Sequence, residues 1–140
     1  MQLKDIIWKY GNKVNLSVFD TIQENFNIVF PKEYKDIVLH NDGATPYPRI
    51  INGTLINNFI PVNPEETYNI SKSCETLKSN IPTNVIPFAQ DAFGNYFCFD
   101  FRKNKSNPSI LFYDHETDNS DSLSFICNSF LEFLELLEEE

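Results

Sequence analysis

The residues most open to a chemical role are Asp91, Asp100 and the run Asp114-His115-Glu116. A histidine between two acids could ligate a metal or shuttle a proton. The spacing H-E-x-x-H, which sets two histidines on one helix face, is absent. At a strand end such a cluster serves equally to form a turn and to make surface hydrogen bonds. There is no G-x-S-x-G, no P-loop and no cysteine beside a histidine, so no nucleophile–base set emerges. Cys74, Cys98 and Cys127 are odd in number and widely spaced, which gives neither a disulfide framework nor a zinc spacing. Each sits among apolar neighbours and reads as a small core residue. The sequence therefore assigns no catalytic residue, metal or cofactor, and a small hydrolase using Asp91, Asp100 or His115 is the minor alternative.

These residues need elements to hold them. Leu3, Ile6, Ile7 and Tyr10 recur at helical spacing, with Gly11 as a stop. Val18, Ile22 and Phe26 predict a second helix from near Ser17. Pro31 opens a third, with Tyr34, Ile37 and Val38 on its apolar stripe, His40 near its end and Asn41-Asp42-Gly43 closing it. Ile50 to Ile56 reads as a hairpin turning at Asn52-Gly53. Asn63-Pro64-Glu65-Glu66 predicts the start of a helix through Ile70, Cys74, Leu77 and Ile81. Val85–Ala89 is a strand whose Pro87 suggests an edge or an end. Ala92-Phe93-Gly94-Asn95 turns the chain into Tyr96–Phe101, with Phe97, Phe99 and Phe101 on one face. Ser109–Tyr113 is a further strand, and Asp114 to Asp121 an acidic loop. Ser129-Phe130-Leu131-Glu132 has the form of a capping box for a last helix. Helices, then strands, then a helix, without regular βαβ alternation, define an α+β fold.

At 140 residues the chain is expected to form one domain, residues 1–140. Thirteen phenylalanines give it apolar mass enough for a core. No apolar run reaches the roughly 18–20 residues of a membrane span, and Met1-Gln2-Leu3-Lys4-Asp5, with no basic region leading into an apolar stretch, gives no expectation of a signal peptide. A cytoplasmic protein without membrane attachment is expected. Net charge is −9, and its placement is lopsided. Residues 1–110 carry eleven acids and eleven Lys/Arg, whereas residues 111–140 carry nine acids and no Lys or Arg. Direct nucleic-acid binding needs a basic surface and is disfavoured. A basic protein partner is compatible.

Four segments, in order, resemble the SUKH superfamily, which includes the fungal SMI/KNR-type cell-wall-synthesis regulators. Ile28-Val29-Phe30-Pro31-Lys32-Glu33-Tyr34-Lys35 with Asn41-Asp42-Gly43 is similar to that family's "LP-x-[DE]-Y" helix, with Phe30 in place of leucine. The stretch from Ile86 to Asp100 resembles its strand pair, including Asp91, Gly94 and Asn95 in the turn. Ile110 to Glu116 resembles the "V-x-x-[YW]-D-H-E" strand, and Asn128 to Leu134 the closing helix. The match runs from about Ser17 to Leu137, with the region from Pro46 to Asn80 unassigned. The resemblance implies a central, mostly antiparallel sheet flanked by helices. For bacterial members it implies an immunity protein that binds and neutralises a secreted or contact-delivered toxin, often a nuclease, in a polymorphic toxin system. A regulatory scaffold closer to the fungal relatives is the alternative.

The candidate partner-binding residues follow. Glu132, Glu135 and Glu139 fall at i, i+3 and i+7 and should share a helix face. There they repel one another, so helix stability does not account for them. A solvated, solubilising face and a partner-facing patch both fit. Asp114, Glu116, Asp118 and Asp121 extend the acidic surface. Asp91 and Asn95 suit side-chain bonds within the turn. Phe93 at the hairpin tip and Tyr47 in the Pro-rich loop are either folded onto the core or exposed as anchors.

Overall fold

The computed structural model describes residues 5–117 and 122–140. Asp118 and Asp121 lie outside the described residues. The chain runs β1 (Ile7–Lys9), α1 (Ser17–Phe26), α2 (Lys32–Asn41), β2 (Thr45–Tyr47), β3 (Ile50–Ile51), β4 (Thr54–Leu55), β5 (Asn58–Phe59), α3 (Ile70–Leu77), β6 (Val85–Gln90), β7 (Tyr96–Asp100), β8 (Ser109–Tyr113), β9 (Leu123–Cys127) and α4 (Phe130–Glu135). Strands β5 to β9 form one antiparallel sheet in sequence order. The α+β class and the antiparallel sheet expected from the sequence are both present.

The phenylalanine alternation organises the core. Phe97, Phe99 and Phe101 enter the main core, where Phe88 stacks on Phe99 at 4.2 Å between ring centroids. Tyr34 of α2 is wholly buried among Phe19, Phe30, Phe59, Phe88, Phe99 and Phe130. On the opposite face Cys98 joins Ile81, Val85, Leu111 and Tyr113 in a second, smaller cluster. Both faces of β7 are thus packed, which explains why its residues read as a nearly continuous apolar run. The three cysteines are unpaired thiols, two buried and one half-buried.

Several local expectations are corrected. Residues 7–9 form a strand, not a helix, paired with Thr45–Tyr47. The burial alternates with period two. Ile6 and Trp8 pack on the core while Ile7 is 61% exposed, and Tyr10 takes φ 69. Gly11 ends no helix. A Cβ there would lie 2.7 Å from the Asn41 carbonyl carbon, so the residue allows two backbones to approach. The helix expected from Asn63 begins at Ile70, capped by Asn69, whose side chain accepts from Lys72 N–H at 3.0 Å. Asn63 closes only a local turn, its Oδ1 accepting from Glu65 N–H at 3.0 Å and its carbonyl from Glu66 N–H at 3.1 Å. The Asp42 carboxylate accepts from Val62 N–H at 2.8 Å and Asn63 N–H at 3.2 Å and ties this segment to the end of α2.

Pro87 lies in a strand with neighbours on both sides, yet the β5 ladder reaches only Ala89 and Gln90. A register shift between Pro87 and Ala89 absorbs the missing donor. The hairpin at 50–56 forms as expected, with Asn52 at φ 49 and Gly53 at φ 78, as a type I′ turn requires. Strand β9 escaped the sequence reading.

Candidate protein-binding surface

Two loops meet at one end of the sheet, the β6–β7 turn and the start of the β8–β9 connection. Asp91 is nearly buried and uses its carboxylate as the knot of the first. Oδ1 accepts from Phe93 N–H at 2.8 Å and from Asn95 N–H at 3.0 Å, and Oδ2 accepts from Asn95 Nδ2 at 2.8 Å. This orients the Asn95 amide, because its NH2 must face the acceptor. Asn95 Oδ1 therefore points the other way, where it accepts from His115 N–H at 3.1 Å and lies 2.8 Å from His115 Nδ1. That geometry assigns the ring proton to Nδ1. Gly94, at φ 89, lies under the His115 ring, and a Cβ there would stand 3.4 Å from it. Asp114 closes the second loop, accepting from Glu116 N–H and from Thr117 Oγ1, both at 3.0 Å.

The chain Asp91–Asn95–His115 thus fastens the two loops together. Asp91 gives both carboxylate oxygens, and His115 its backbone N–H and Nδ1, to the bonding of these turns. Phe93 sits at the tip of this stapled turn and is 77% exposed, which decides between core and surface. Asp100 takes a comparable structural role. Arg102 donates to it from Nε at 2.9 Å and from Nη2 at 3.0 Å. Partial burial pushes the Asp100 carboxyl up, but the Arg102 bonds and charge outweigh it and leave it below the usual range.

The acidic end is arranged differently from expectation. Helix α4 stops at Glu135, so Glu139 shares no helix face with Glu132 and Glu135. The chain instead leaves in extended form, with Glu138 bridging Ile50 through bonds of 3.1 and 2.7 Å. Glu140 pairs with Arg49 at 2.9 Å. Leu137, wholly buried, anchors that exit. Ser129 Oγ does accept from Glu132 N–H at 3.1 Å, as a capping residue should.

The candidate residues therefore fall into groups. Asp91, Phe93, Asp114 and Glu116 converge on the stapled loops. Glu132 and Glu135 project from α4. Tyr47 and Glu139 line a separate shallow hollow with Ile7, Pro48 and Arg49. There Lys9 Nζ and the Arg49 guanidinium stand 5.0 and 5.2 Å from the Tyr47 ring centre. The sequence reading missed Phe125 of β9, which is 60% exposed. Its signal was the alternation Leu123-Ser124-Phe125, too short to stand out beside the acidic loop.

The fold is an antiparallel five-stranded meander backed by helices, with a stapled, acid-rimmed turn at one end carrying a solvent-facing phenylalanine. The model of the SMI1 / KNR4 family (SUKH-1) matches residues 13–136, and the chain belongs to that family. It is also similar to the SPbeta prophage-derived uncharacterized protein YokK of Bacillus subtilis (strain 168), with 40% identity over 72 residues. That match covers 51% of this chain and 35% of the relative, so the chain spans about a third of the relative's length. Among the described residues, no helix is long and apolar enough to cross a membrane.

Proposed function

We propose that this protein is an immunity protein, which binds a cognate toxin and blocks it by occlusion. One observation carries the reading beyond family membership. Every charged side chain from residue 111 onward, apart from what His115 can acquire, is an acid. Such a field attracts a basic macromolecule, raises its association rate and loses effect as salt rises. A nuclease toxin is the partner of this kind that fits best, since its own substrate site must be basic to hold phosphates. Asp114, Glu116, Glu132 and Glu135 stand in for those phosphates, and Phe93 supplies an apolar anchor of the type that dominates interface energetics.

The test is co-expression with the product of the adjacent reading frame. Cells making both should grow where cells making the neighbour alone do not, and the two proteins should co-purify. Phe93→Ala should keep its stability and lose affinity about thirtyfold, equivalent to the loss of an anchor worth about 2 kcal/mol. Absence of both rescue and complex refutes this function.

A further inference from the structure

The outer strand of the sheet is an open edge. Among the described residues, strand β9 pairs with β8 alone. In an antiparallel ladder the N–H and C=O of one residue point to the same side, and successive residues alternate. Asp114 N–H donates to the Ser122 carbonyl at 2.8 Å. That makes 114 and 122 a bonded pair and, by alternation, Phe112 and Ser124 the next. The backbone groups of Leu123 and Phe125 therefore face away from the sheet. No hydrogen bond to them occurs among the described residues.

Natural edge strands are commonly blunted by lysine, proline, an inward charge or a bulge. Leu123–Cys127 contains no charge and no proline. Its irregularity falls at Ile126, because Leu111 pairs with Phe125 while Ile110 pairs with Cys127. The stretch 123–125 is left regular. Leu123 and Phe125 also share a side-chain face, opposite Tyr113 and Leu111. Leu123 packs on the second cluster, and Phe125 extends that apolar surface into solvent.

We propose that the Leu123–Phe125 edge accepts an extended, basic segment of a partner protein by strand addition, with Phe125 packing on the added strand's side chains. This rests on the protein-binding reading above and names its surface. Charge selects the occupant. Asp114 and Glu116 lie at one end of β9, and Glu132 and Glu135 follow on α4 from the other. Lys78 and Arg102 line the hollow beside Leu123, and Arg102 is already committed to Asp100. Antiparallel pairing of two copies would set the acids at the start of one β9 against the acidic α4 of the other. A strand with lysine or arginine at both ends meets opposite charge instead.

The experiment is an amide NMR titration with two synthetic strand peptides of alternating threonine and valine, one flanked by lysines and one by glutamates. The lysine-flanked peptide should shift the Leu123 and Phe125 amides first, and the glutamate-flanked peptide should not. Phe125→Pro removes an outward N–H without touching the β8 ladder, and Leu123→Pro does the same while keeping the ring. Each should weaken the lysine peptide about tenfold or more. Phe125→Ala keeps the N–H and should weaken it less. Circular dichroism checks that the variants fold, and either proline variant suffices. The proposal is overturned if millimolar lysine peptide leaves both amides unmoved, if the two peptides act alike, or if sedimentation shows a dimer that the proline variants dissolve. Because the peptides need no toxin, failure here is distinct from failure of rescue by the adjacent gene product.

Discussion

Replacing Asp91 with alanine tests whether one carboxylate holds the stapled turn. The variant strands three donors: the Phe93 and Asn95 amides and the Asn95 side-chain NH2. A hydrogen bond to a charged group contributes about 1.5–3 kcal/mol, and water can reach part of this turn once the side chain is gone. The expected loss is therefore about 3 kcal/mol, below the sum of three full bonds. In a chain of this length it should lower Tm by about 10 °C. Asp91→Asn should fall between the two. Its carbonyl can still take both backbone donors, but its NH2 would face the NH2 of Asn95. Rotating Asn95 would not relieve that conflict, because its NH2 would then face the His115 backbone N–H that its Oδ1 now accepts from. Urea unfolding of the two Asp91 variants, Asn95→Ala and the double Ala variant completes the measurement. A coupling energy of about 1 kcal/mol or more is expected for the Ala pair. An Asp91→Ala variant within about 0.5 kcal/mol of the parent, or strict additivity with Asn95→Ala, would falsify the staple.

Tyr34 buries a hydroxyl with no hydrogen-bond partner among the described residues, so Tyr34→Phe should unfold at equal or higher urea, by up to about 1 kcal/mol. A clear loss of stability would mean the hydroxyl is engaged. Burial pushes the Cys74 and Cys127 thiols up to about 12 and raises the Cys98 thiol well above the usual range. At pH 8 all three should resist an aromatic disulfide reagent until denaturant is added, and rapid labelling of the native protein would contradict this. Asp100 is lower in the fold than in the unfolded chain, so its ionic contribution is present above the unfolded value of about 4 and disappears as pH falls through the folded one. Asp100→Asn should accordingly flatten the acid limb of the stability profile, and an unchanged limb argues against it.

Much of the sheet was legible because its signals are local and mutually consistent. The Phe97–Phe99–Phe101 alternation, the Asn52-Gly53 turn and the Ser129 cap each depend on a few neighbouring residues. What failed depends on distant ones. Residues 6–10 carry helical spacing, yet pairing with Thr45–Tyr47 and the edge contact of Trp8 with Phe59 at 5.0 Å impose a strand. The tie of Val62 and Asn63 to the Asp42 carboxylate likewise joins residues far apart in the chain. Helix α4 ends early because Glu138 finds Ile50. The site was half legible. The motif residues Asp91, Asn95 and His115 were identifiable, but their mutual bonding joins loops 20 residues apart, which no spacing rule encodes. Phe125 was hidden because a two-residue alternation is a weak pattern on its own.

Four of the five strands in the main sheet succeed one another along the chain, with no helix between them among the described residues. Most of its pairing closes short loops, which costs little entropy and proceeds quickly. Strand β5 arrives from the far side of α3 and must search longer. Pulsed hydrogen exchange during refolding should therefore find the amides of β7 and β8 protected before Phe59 acquires its bond to the Ala44 carbonyl at 2.8 Å. On that timetable the surface-bearing half of the molecule assembles first, and simultaneous protection of both halves would refute the order.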